Sequence, residues 1–288
     1  AITAGDMHTC AILDNSSIKC WGLNDSGQLG QGDTDSRGDG LNEMGDNLTA
    51  VDLGTGRTAT AISAGDRHTC AILDNSSIKC WGLNDEGQLG LNADDSRGDE
   101  PDEMGDNLPA IDLKSTGRTA ASITTGDKHT CVMDDNASIK CWGYGYYGQL
   151  GRGDQKSYNK PPQNVLELGS GRNAKAITAG DMHTCAILDN SSIKCWGLND
   201  SGQLGQEDTT NNRGDELNEM GDFLPSIDLG SGKTARAISA GDSHTCAILD
   251  NASIKCWGKN DSGQLGLGDN STRGGGSGEM DNLTSISL

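Results

Sequence analysis

The ten cysteines are the residues whose chemistry this sequence defines most clearly, because they form five evenly spaced pairs. Ten positions separate the two members of every pair: Cys10 and Cys20, Cys70 and Cys80, Cys131 and Cys141, Cys185 and Cys195, Cys246 and Cys256. Between the first two, the polar turn Asp14-Asn15-Ser16 is typical of a β-hairpin, and the hairpin register places the two cysteines opposite each other. The spacing predicts one disulfide per hairpin, and hence an extracellular location or an oxidising lumen.

Two other interpretations of the cysteines are open at this point. Reduced cysteines would serve as small buried apolar residues. Structural zinc needs four ligands, usually with short Cys-x-x-Cys spacing, whereas each unit offers two cysteines and one histidine.

A histidine and a tryptophan recur with each cysteine pair. The histidines are His8, His68, His129, His183 and His244, and the tryptophans are Trp21, Trp81, Trp142, Trp196 and Trp257. A hydrolase triad or a metal ring is one interpretation of the histidines. An active site normally occurs once in a chain, so we expect five copies to be hydrogen-bonding and packing residues. No phosphate-binding loop or nucleophile elbow is found either, and the sequence predicts no catalytic residue and no enzyme.

The segments that follow each Trp-Gly are rich in acid. Leu23 to Leu53 holds seven acidic residues and one arginine, and the whole chain has a formal charge of −20. Such a charge repels phosphate backbones, so nucleic acid is not an expected partner. The acidic loops either form a solubilising rim or bind Ca²⁺, which accepts six to eight oxygen ligands. The Ca²⁺ ligands in that alternative are Asp33, Asp35, Asp39 and Glu43.

Two short motifs carry further alternatives. Asn-x-Ser sequons occur at all five hairpin tips, at Asn15, Asn75, Asn136, Asn190 and Asn251. They are either glycosylation acceptors or simply good turn residues copied with the repeat. The tripeptide Arg-Gly-Asp begins at Arg37, Arg97 and Arg213, which is compatible with adhesion by a secreted protein.

The third unit departs from the others and is the best candidate for partner binding. It contains all four tyrosines, and its segment from Tyr144 to Leu168 has three basic and two acidic residues. Tyrosine and arginine are enriched at interface hot spots. The predicted partner-binding residues are Tyr144, Tyr146, Tyr147, Tyr158, Arg152 and Lys156.

These residues sit in a repeated element. Ala1 to Gln31 is identical to Ala176 to Gln206, and Gly-Asp-x-His-Thr-Cys occurs five times. We predict a single repeat domain over 1–288 with units at about 1–60, 61–121, 122–175, 176–236 and 237–288. With 42 glycines, 33% apolar residues and no long apolar run, the chain is predicted to be all-β and not to insert into a membrane.

Each unit is expected to contain four short strands. In the first unit these are Ala1 to Gly5, His8 to Leu13, Ser17 to Gly22 and, after the acidic loop, Leu48 to Leu53. The fourth segment is joined by a short turn to the next unit, so we expect it to pair with that unit's first strand. By the same rule, Leu283 to Leu288 would pair with Ala1 to Gly5.

The unit Gly-Asp-x-His-Thr-Cys, aliphatic strand, Asp-Asn-Ser turn, Trp-Gly and Gly-Gln-Leu-Gly resembles the regulator of chromosome condensation repeat. The resemblance covers all five units and essentially the whole chain. It implies a β-propeller, here of five four-stranded blades in a closed ring or an incomplete arc, with one disulfide-stapled hairpin per blade. The cysteine pair departs from the family pattern and indicates a secreted, Cys-paired variant.

The predicted function follows from these features together. The chain is expected to be a non-enzymatic protein-binding or structural scaffold that works within a larger assembly and needs no cofactor. The alternative is a Ca²⁺-dependent adhesion or extracellular matrix component. The resemblance also implies a guanine-nucleotide exchange factor, which fits less well because such a factor works in a reducing compartment next to nucleic acid.

Overall fold

Short antiparallel strands make up nearly all the regular structure. The computed structural model describes residues 1–113 and 118–286, and within them lie fifteen strands and three 3₁₀ helices. The strands are β1 (Ile2–Ala4), β2 (His8–Ile12), β3 (Ile18–Gly22), β4 (Ala59–Ala64), β5 (His68–Leu73), β6 (Ile78–Gly82), β7 (Ala120–Thr125), β8 (His129–Asp134), β9 (Ile139–Gly143), β10 (Ala174–Ala179), β11 (His183–Leu188), β12 (Ile193–Gly197), β13 (Ala235–Ala240), β14 (His244–Leu249) and β15 (Ile254–Gly258). The 3₁₀ helices are Gly45–Asn47, Gly105–Asn107 and Gly221–Phe223.

Five three-stranded sheets result, one per repeat, each with its strands in chain order from β1-β2-β3 to β13-β14-β15. The second and third strands form the predicted hairpin, in which Cys10 faces Cys20. Its tip is a tight turn with φ of 62° at Ser16, and the side-chain oxygen of Asn15 accepts the N–H of Ser17 at 3.1 Å. An Asx-type bond of this kind stabilises a turn that most residues adopt reluctantly.

The prediction of a fourth strand that joins the next repeat is wrong. In the first repeat, the predicted segment only donates the Val51 N–H to the carbonyl of Ile18, at 2.8 Å, so it lies against the third strand of its own repeat. Isolated bridges of the same kind join Ile111 to Ile78 and Ile286 to Ile254. The last described segment therefore follows its own repeat in the same way, and Ser287 and Leu288 lie outside the described residues.

The core lies between the sheets of consecutive repeats. Cys10, Ile18 and Leu29 of the first repeat form one buried cluster with Leu73 and Trp81 of the second. Equivalent residues of the fourth and fifth repeats form another cluster, in which Leu204 and Trp257 take part. Strands of three to six residues cannot bury an apolar face alone, so each sheet depends on its neighbour.

The chain divides into two compact units. The first contains Ala1–Asn136, Lys140–Tyr144 and Ser157–Asn164, and the second contains Ala137–Ile139, Gly145–Lys156 and Val165–Leu288. None of the helices within 1–113 and 118–286 is long and apolar enough to cross a bilayer.

Candidate interaction surface and the joints between repeats

The cysteine prediction is confirmed, because all five predicted pairs are disulfide-bonded. The two cysteines of each pair are directly opposed in neighbouring strands, as Cys70 and Cys80 are in β5 and β6. The first, second and fourth pairs are buried in the clusters between sheets. Neither of the two alternatives, reduced cysteines or zinc ligands, describes these residues.

The recurring histidine and tryptophan side chains hold consecutive repeats together. The carbonyl of Gln28 in the first repeat accepts two bonds from the second, one from the indole Nε1–H of Trp81 at 3.0 Å and one from the hydroxyl of Thr69 at 2.9 Å. The Nε2–H of His8 donates to the same hydroxyl at 2.8 Å. One main-chain carbonyl therefore joins each repeat to the next through a short chain of hydrogen bonds.

The same carbonyl is used at the following joints. Gln88 accepts from Trp142 at 3.0 Å, Gln149 from Trp196 at 3.0 Å, and Gln203 from Trp257 at 3.0 Å. The histidines and tryptophans at these joints have the structural role that the sequence predicted. The sequence did not indicate that the glutamine carbonyl would be the acceptor, because a carbonyl leaves no signature in residue type.

Burial keeps these histidines neutral. Desolvation lowers the pKa of His8 to about 4 and that of His68 to about 3. The Thr69 hydroxyl donates to the Gln28 carbonyl, so it must receive its own hydrogen bond from His8. This fixes the proton of the neutral imidazole on Nε2.

Two further side chains support the loops and were not singled out from the sequence. Asn84 is fully buried, and its amide accepts the Leu89 N–H at 2.9 Å and donates to the Ala93 carbonyl at 2.8 Å. The ammonium of Lys79 donates to the carbonyls of Leu53 and Gly105 at 3.0 and 2.6 Å. The recurring Leu-Asn-Asp and Ile-Lys-Cys sequences were the available signals for both residues.

The third repeat presents tyrosines from a turn that every repeat contains. Tyr146 is 54% exposed, and its ring meets that of Tyr147 edge to face with centroids 5.3 Å apart. The N–H of Tyr147 donates to the Gln149 side chain at 3.0 Å, which is the bond that Ser26 makes to Gln28 in the first repeat. The turn backbone is thus shared, and only the projecting side chains differ.

The remaining predicted partner-binding residues are divided between the two compact units. Arg152 and Lys156 lie in the same unit as Tyr146 and Tyr147. Arg152 is half-buried and Lys156 is exposed. Tyr144 and Tyr158 belong to the first unit. Within the second unit, the structure places the rings of Tyr146 and Tyr147 in contact, and in the first unit Tyr158 is bridged to Gly143, the residue before Tyr144.

The acidic loops use their carboxylates internally. Asp33 pairs with Arg37 at 2.6 Å and accepts the Asp35 N–H at 3.0 Å. Glu43 accepts the N–H groups of Gly38 and Gly40, which lower its pKa. Within residues 1–113 and 118–286, no group of three or more His, Cys, Asp or Glu side chains could hold a metal ion. The four residues suggested as Ca²⁺ ligands therefore do not form a preformed metal site; they are Asp33, Asp35, Asp39 and Glu43.

The arginines of the three Arg-Gly-Asp sequences are also engaged in ion pairs. Arg97 pairs with Glu103 at 3.3 Å, and Arg213 pairs with Asp208 at 2.9 Å. An adhesion motif needs its arginine available to the receptor. These ion pairs give the tripeptide a role within its own loop.

The five sequon asparagines are all exposed at hairpin tips, at Asn15, Asn75, Asn136, Asn190 and Asn251. In the first of these turns, the Ser17 hydroxyl donates to the Asn15 side chain at 2.7 Å. This bond is the turn chemistry expected of an Asn-x-Ser sequence. Glycosylation of these residues stays a prediction.

Comparison with known proteins agrees with this repeat geometry. The family model described as RCC1-like domain matches residues 1–287. The ultraviolet-B receptor UVR8 of Arabidopsis thaliana is 28% identical over 274 residues, which cover 94% of this chain and 56% of that protein. The chain spans about half the length of this receptor and of the protein pim1 of Schizosaccharomyces pombe, and 5% of the human E3 ubiquitin-protein ligase HERC2.

Two solved structures share the fold. Human WBSCR16 superposes with a TM-score of 0.75 at 17% identity, over 100% of this chain and 66% of that one. Prp20p from Saccharomyces cerevisiae gives 0.71 at 22% identity, over 100% of this chain and 65% of that one. With a family model that matches nearly every residue, the chain belongs to the RCC1-like domain family of β-propeller repeats.

Proposed function

We propose that this chain is a non-enzymatic scaffold that binds a protein partner in an oxidising compartment, with the Tyr146–Tyr147 turn as its main contact. The observation that carries the proposal is the edge-to-face tyrosine pair, with Tyr146 exposed and Tyr147 half-buried, on a turn held by the Gln149 side chain. Rigid aromatic side chains bury a large area at low entropic cost, which is why they dominate binding hot spots.

The local charge also supports the Tyr146–Tyr147 turn as the binding site. The segment from Tyr144 to Leu168 has a net charge of 3 − 2 = +1, in a chain whose formal charge is −20. At the equivalent turns of the first two repeats, Asp25 pairs with Arg67 and Asp85 pairs with Lys128, both at 2.7 Å. In the third repeat Tyr146 stands at the position of these aspartates, so the turn presents an aromatic side chain in place of a carboxylate, which suits an uncharged or acidic partner patch.

The disulfides support the assignment of the protein to an oxidising compartment. Five bonded pairs persist only where thiols are not continuously reduced, which favours the extracellular space or an oxidising lumen. Binding of proteins is also what the description of the Prp20p structure names for that protein, with Gsp1p and histones as its partners. We extend to this chain only the general mode, in which loops on a propeller contact another protein.

The test compares two double variants that differ in one turn. Tyr146→Ala with Tyr147→Ala should weaken association with a partner isolated on the wild-type chain by about tenfold or more. Asp200→Ala with Ser201→Ala alters the equivalent turn of the fourth repeat and should leave association unchanged. Asn199 is not a suitable control position, because its buried amide anchors the loop through Leu204 and Asp208.

Affinity is measured by calorimetry or biosensor, and thermal melts of both variants check that the fold is intact. Equal affinity of the two variants would refute the tyrosine turn as the contact. Loss of binding in the fourth-repeat variant alone would move the contact to that turn.

A further inference from the structure

The third repeat lacks a short segment that the other four repeats contain. In the second repeat 13 residues separate Arg97 from Ile111, whereas seven residues separate their counterparts Tyr158 and Leu166 in the third. Backbone bonds establish these counterparts, because the first member of each pair bridges the glycine of its own Trp-Gly and the second donates its N–H to the third strand of its own repeat. The missing segment includes a Glu-Met sequence, which ends in the other repeats at Met44, Met104, Met220 and Met280.

The methionine of that segment packs into the joint between consecutive repeats. The Cε of Met104 lies 2.9 Å from a Cβ built on Gly30 of the preceding repeat, and Met104 packs on the buried cluster that contains Val51. The Cε of Met220 lies 3.1 Å from a Cβ built on Gly151 in the same way. One methionine side chain thus fills each of these two joints.

The joint between the second and third repeats has a cleft at this place. Its volume is about 280 Å³, and all its lining residues belong to the first compact unit. Gly90 and Ile111, which stand where the first repeat has its glycine and valine, line the cleft together with Leu91 and Pro161. The three atoms nearest to a Cβ built on Gly90 all belong to Trp142. The cleft therefore marks the position of the missing methionine.

The cleft has room for a side chain and its flanking backbone. Binding pockets for small molecules measure about 300–1,000 Å³, so this cleft is too small for most of them. Leu91, Pro109 and Ala110 give it apolar walls. Methionine is unbranched and flexible, and it fills irregular apolar spaces of this kind. The cleft is therefore suited to the side chain that the shortened loop does not supply.

The rim of the cleft carries a positive charge for the residue that precedes the methionine. In the second repeat the Glu103 carboxylate accepts the N–H groups of Gly98 and Glu100, at 2.9 and 3.2 Å. The third repeat has Pro161 in place of Glu100, and proline has no N–H to donate. The residue before this proline is Lys160, which is exposed and lines the cleft. An ammonium group thus stands where a backbone donor has been lost.

We propose that this cleft binds an extended segment of a partner protein in which an acidic residue directly precedes a methionine. The methionine would lie against Gly90 and Ile111, and the carboxylate would pair with Lys160. The occupant follows from the chain itself, because a Glu-Met sequence fills the equivalent joints. The acidic residue of the lining, Asp112, interacts with the buried ammonium of Lys140, which reduces its repulsion of an incoming carboxylate.

The probe for this site is a synthetic peptide with the sequence of Pro101 to Leu108, Pro-Asp-Glu-Met-Gly-Asp-Asn-Leu. In calorimetry or fluorescence anisotropy it should bind the intact chain saturably, with one site per chain. The same peptide with alanine in place of methionine should bind about tenfold more weakly, because it loses the burial of the long apolar side chain.

Two substitutions in the cleft and one control test where the peptide binds. Ala110→Phe fills the cleft from an exposed position, so the chain should fold and bind the peptide at least about tenfold more weakly. Lys160→Glu should weaken binding about fivefold, and less at high salt. Lys175→Glu changes the net charge equally, at an exposed position in β10 (Ala174–Ala179), and should bind as the wild type does. Thermal melts check that each variant is folded.

The cleft and the tyrosine turn can be tested separately. Tyr146→Ala with Tyr147→Ala should bind the peptide as the wild type does, so either proposal can fail without the other. A wild-type chain that shows no saturable binding at millimolar peptide would overturn the cleft proposal. Equal affinity for the methionine and alanine peptides would do the same, because the cleft would not recognise the side chain. Unchanged binding by the Ala110→Phe chain would place the peptide elsewhere and exclude the cleft.

Discussion

A single main-chain carbonyl explains why three residue types recur in every repeat. The Gln28 carbonyl takes bonds from Trp81 and Thr69, and His8 completes the chain by donating to the threonine. Each of these groups is buried, and a buried polar group without a partner costs about 1–3 kcal/mol. The recurring histidine is therefore a requirement of the joint, not a sign of catalysis.

Acidification should destabilise the protein because the histidines of the joints are neutral. The pKa of His8 falls from 6.5 to about 4 on folding, and that of His68 falls from 6.5 to about 3. Between pH 6.5 and these values the unfolded chain binds more protons than the folded chain, so stability decreases as the pH falls. The melting temperature should decline progressively below pH 6.5.

Carboxyl groups with a raised pKa act in the opposite direction, and these are Asp99, Asp127, Glu219 and Asp281. Burial, and then the charge of Asp66, raise the pKa of Asp127 from 3.8 to about 6, so its protonation favours the folded state as the pH falls through that range. The lowered pKa of His244, and the lowered pKa values of five carboxyl groups, act in the same direction as His8 and His68, so we expect a net decline; the five are Glu43, Asp106, Asp222, Asp261 and Asp269. The variant His68→Gln keeps an N–H donor without the titration and should show a shallower decline. A melting temperature that is constant from pH 7.5 to 4.5 would contradict this assignment.

The buried lysine ammonium groups should contribute to stability through carbonyl bonding. Lys79 is 7% exposed, burial lowers its pKa, and it donates to Leu53 and Gly105. Lys79→Met keeps the packing but leaves both carbonyls without this donor, which should reduce the free energy of unfolding by about 1–3 kcal/mol.

The first repeat supplies the control for the lysine prediction. Lys19 is the counterpart of Lys79, and its bond to the Gly45 carbonyl at 2.7 Å is exposed to solvent. Lys19→Met should therefore change the free energy of unfolding by less than about 0.5 kcal/mol. Urea titrations of both variants make the comparison, and equal losses would mean that burial does not determine the effect.

At the scale of the element, the hairpin of the second and third strands is the unit that the disulfide stabilises. Strands of five or six residues bury little by themselves, and the Cys70–Cys80 bond restricts the unfolded hairpin. Replacing both cysteines by alanine should lower the free energy of unfolding by about 2–3 kcal/mol in the chain-entropy model. A denaturant titration measures this change in the free energy of unfolding, with the fully reduced wild type titrated in parallel.

The comparison with the reduced protein makes the disulfide prediction specific. Reduction breaks all five bonds, so it should lower the midpoint by considerably more than the double alanine variant does. If the alanine variant were as stable as the wild type, the hairpin would be held by packing alone. Peptide mapping without reduction should find every cysteine linked to the partner ten residues away.

The turn after each Trp-Gly shows how one element tolerates a change of surface. Its backbone is closed by the Gln side chain and, in the second repeat, by the buried amide of Asn84. The third repeat has Gly145 where the others have asparagine, and a Cβ there would collide with the Lys156 carbonyl. The loss of the asparagine anchor is thus matched by a closer approach of the backbone, and the tyrosines project from the same turn.

At the scale of the whole molecule, stability should be uneven along the repeats. Strands β5 (His68–Leu73) and β11 (His183–Leu188) are buried throughout, whereas β1 (Ile2–Ala4) is largely exposed. In a repeat array each sheet is stabilised mainly by its neighbours, so sheets covered on both faces open least. Hydrogen exchange in dilute solution should be slowest in β5 and β11 and fastest in β1. Uniform protection across all repeats would contradict nearest-neighbour stabilisation.

Local pattern was sufficient for much of this fold. The hairpin register, the facing cysteines and the turns at Asn15 and its counterparts follow from spacing and turn chemistry, because they involve residues close together in the chain. The five-fold recurrence of Gly-Asp-x-His-Thr-Cys indicated a repeat family, and the family model that covers 1–287 agrees. The structural role of His68 was also predicted, since five copies of one residue are poorly suited to a single active site.

The path of the fourth segment was not predictable in this way. The short turn between Leu53 and Ala59 suggested a strand shared with the next repeat, yet Val51 bonds Ile18 of its own repeat. Only packing decides this, because Val51 and Leu53 enter the buried cluster between the sheets while they reach back to the third strand. Composition also suggested Ca²⁺ ligands in residues whose carboxylates turned out to be paired within their loops, such as Asp33 with Arg37.

The sequence by itself determined everything that depends on neighbours along the chain: the strands, the hairpin disulfides and the repeat unit. Tertiary structure alone decided which groups meet across repeats, because those contacts join atoms about 60 residues apart, as His8 and Thr69 are. It also decided that identical hairpins differ, with Trp196 buried and Trp21 half-buried. Equal sequences have equal local preferences, and only the presence of a covering neighbour distinguishes them.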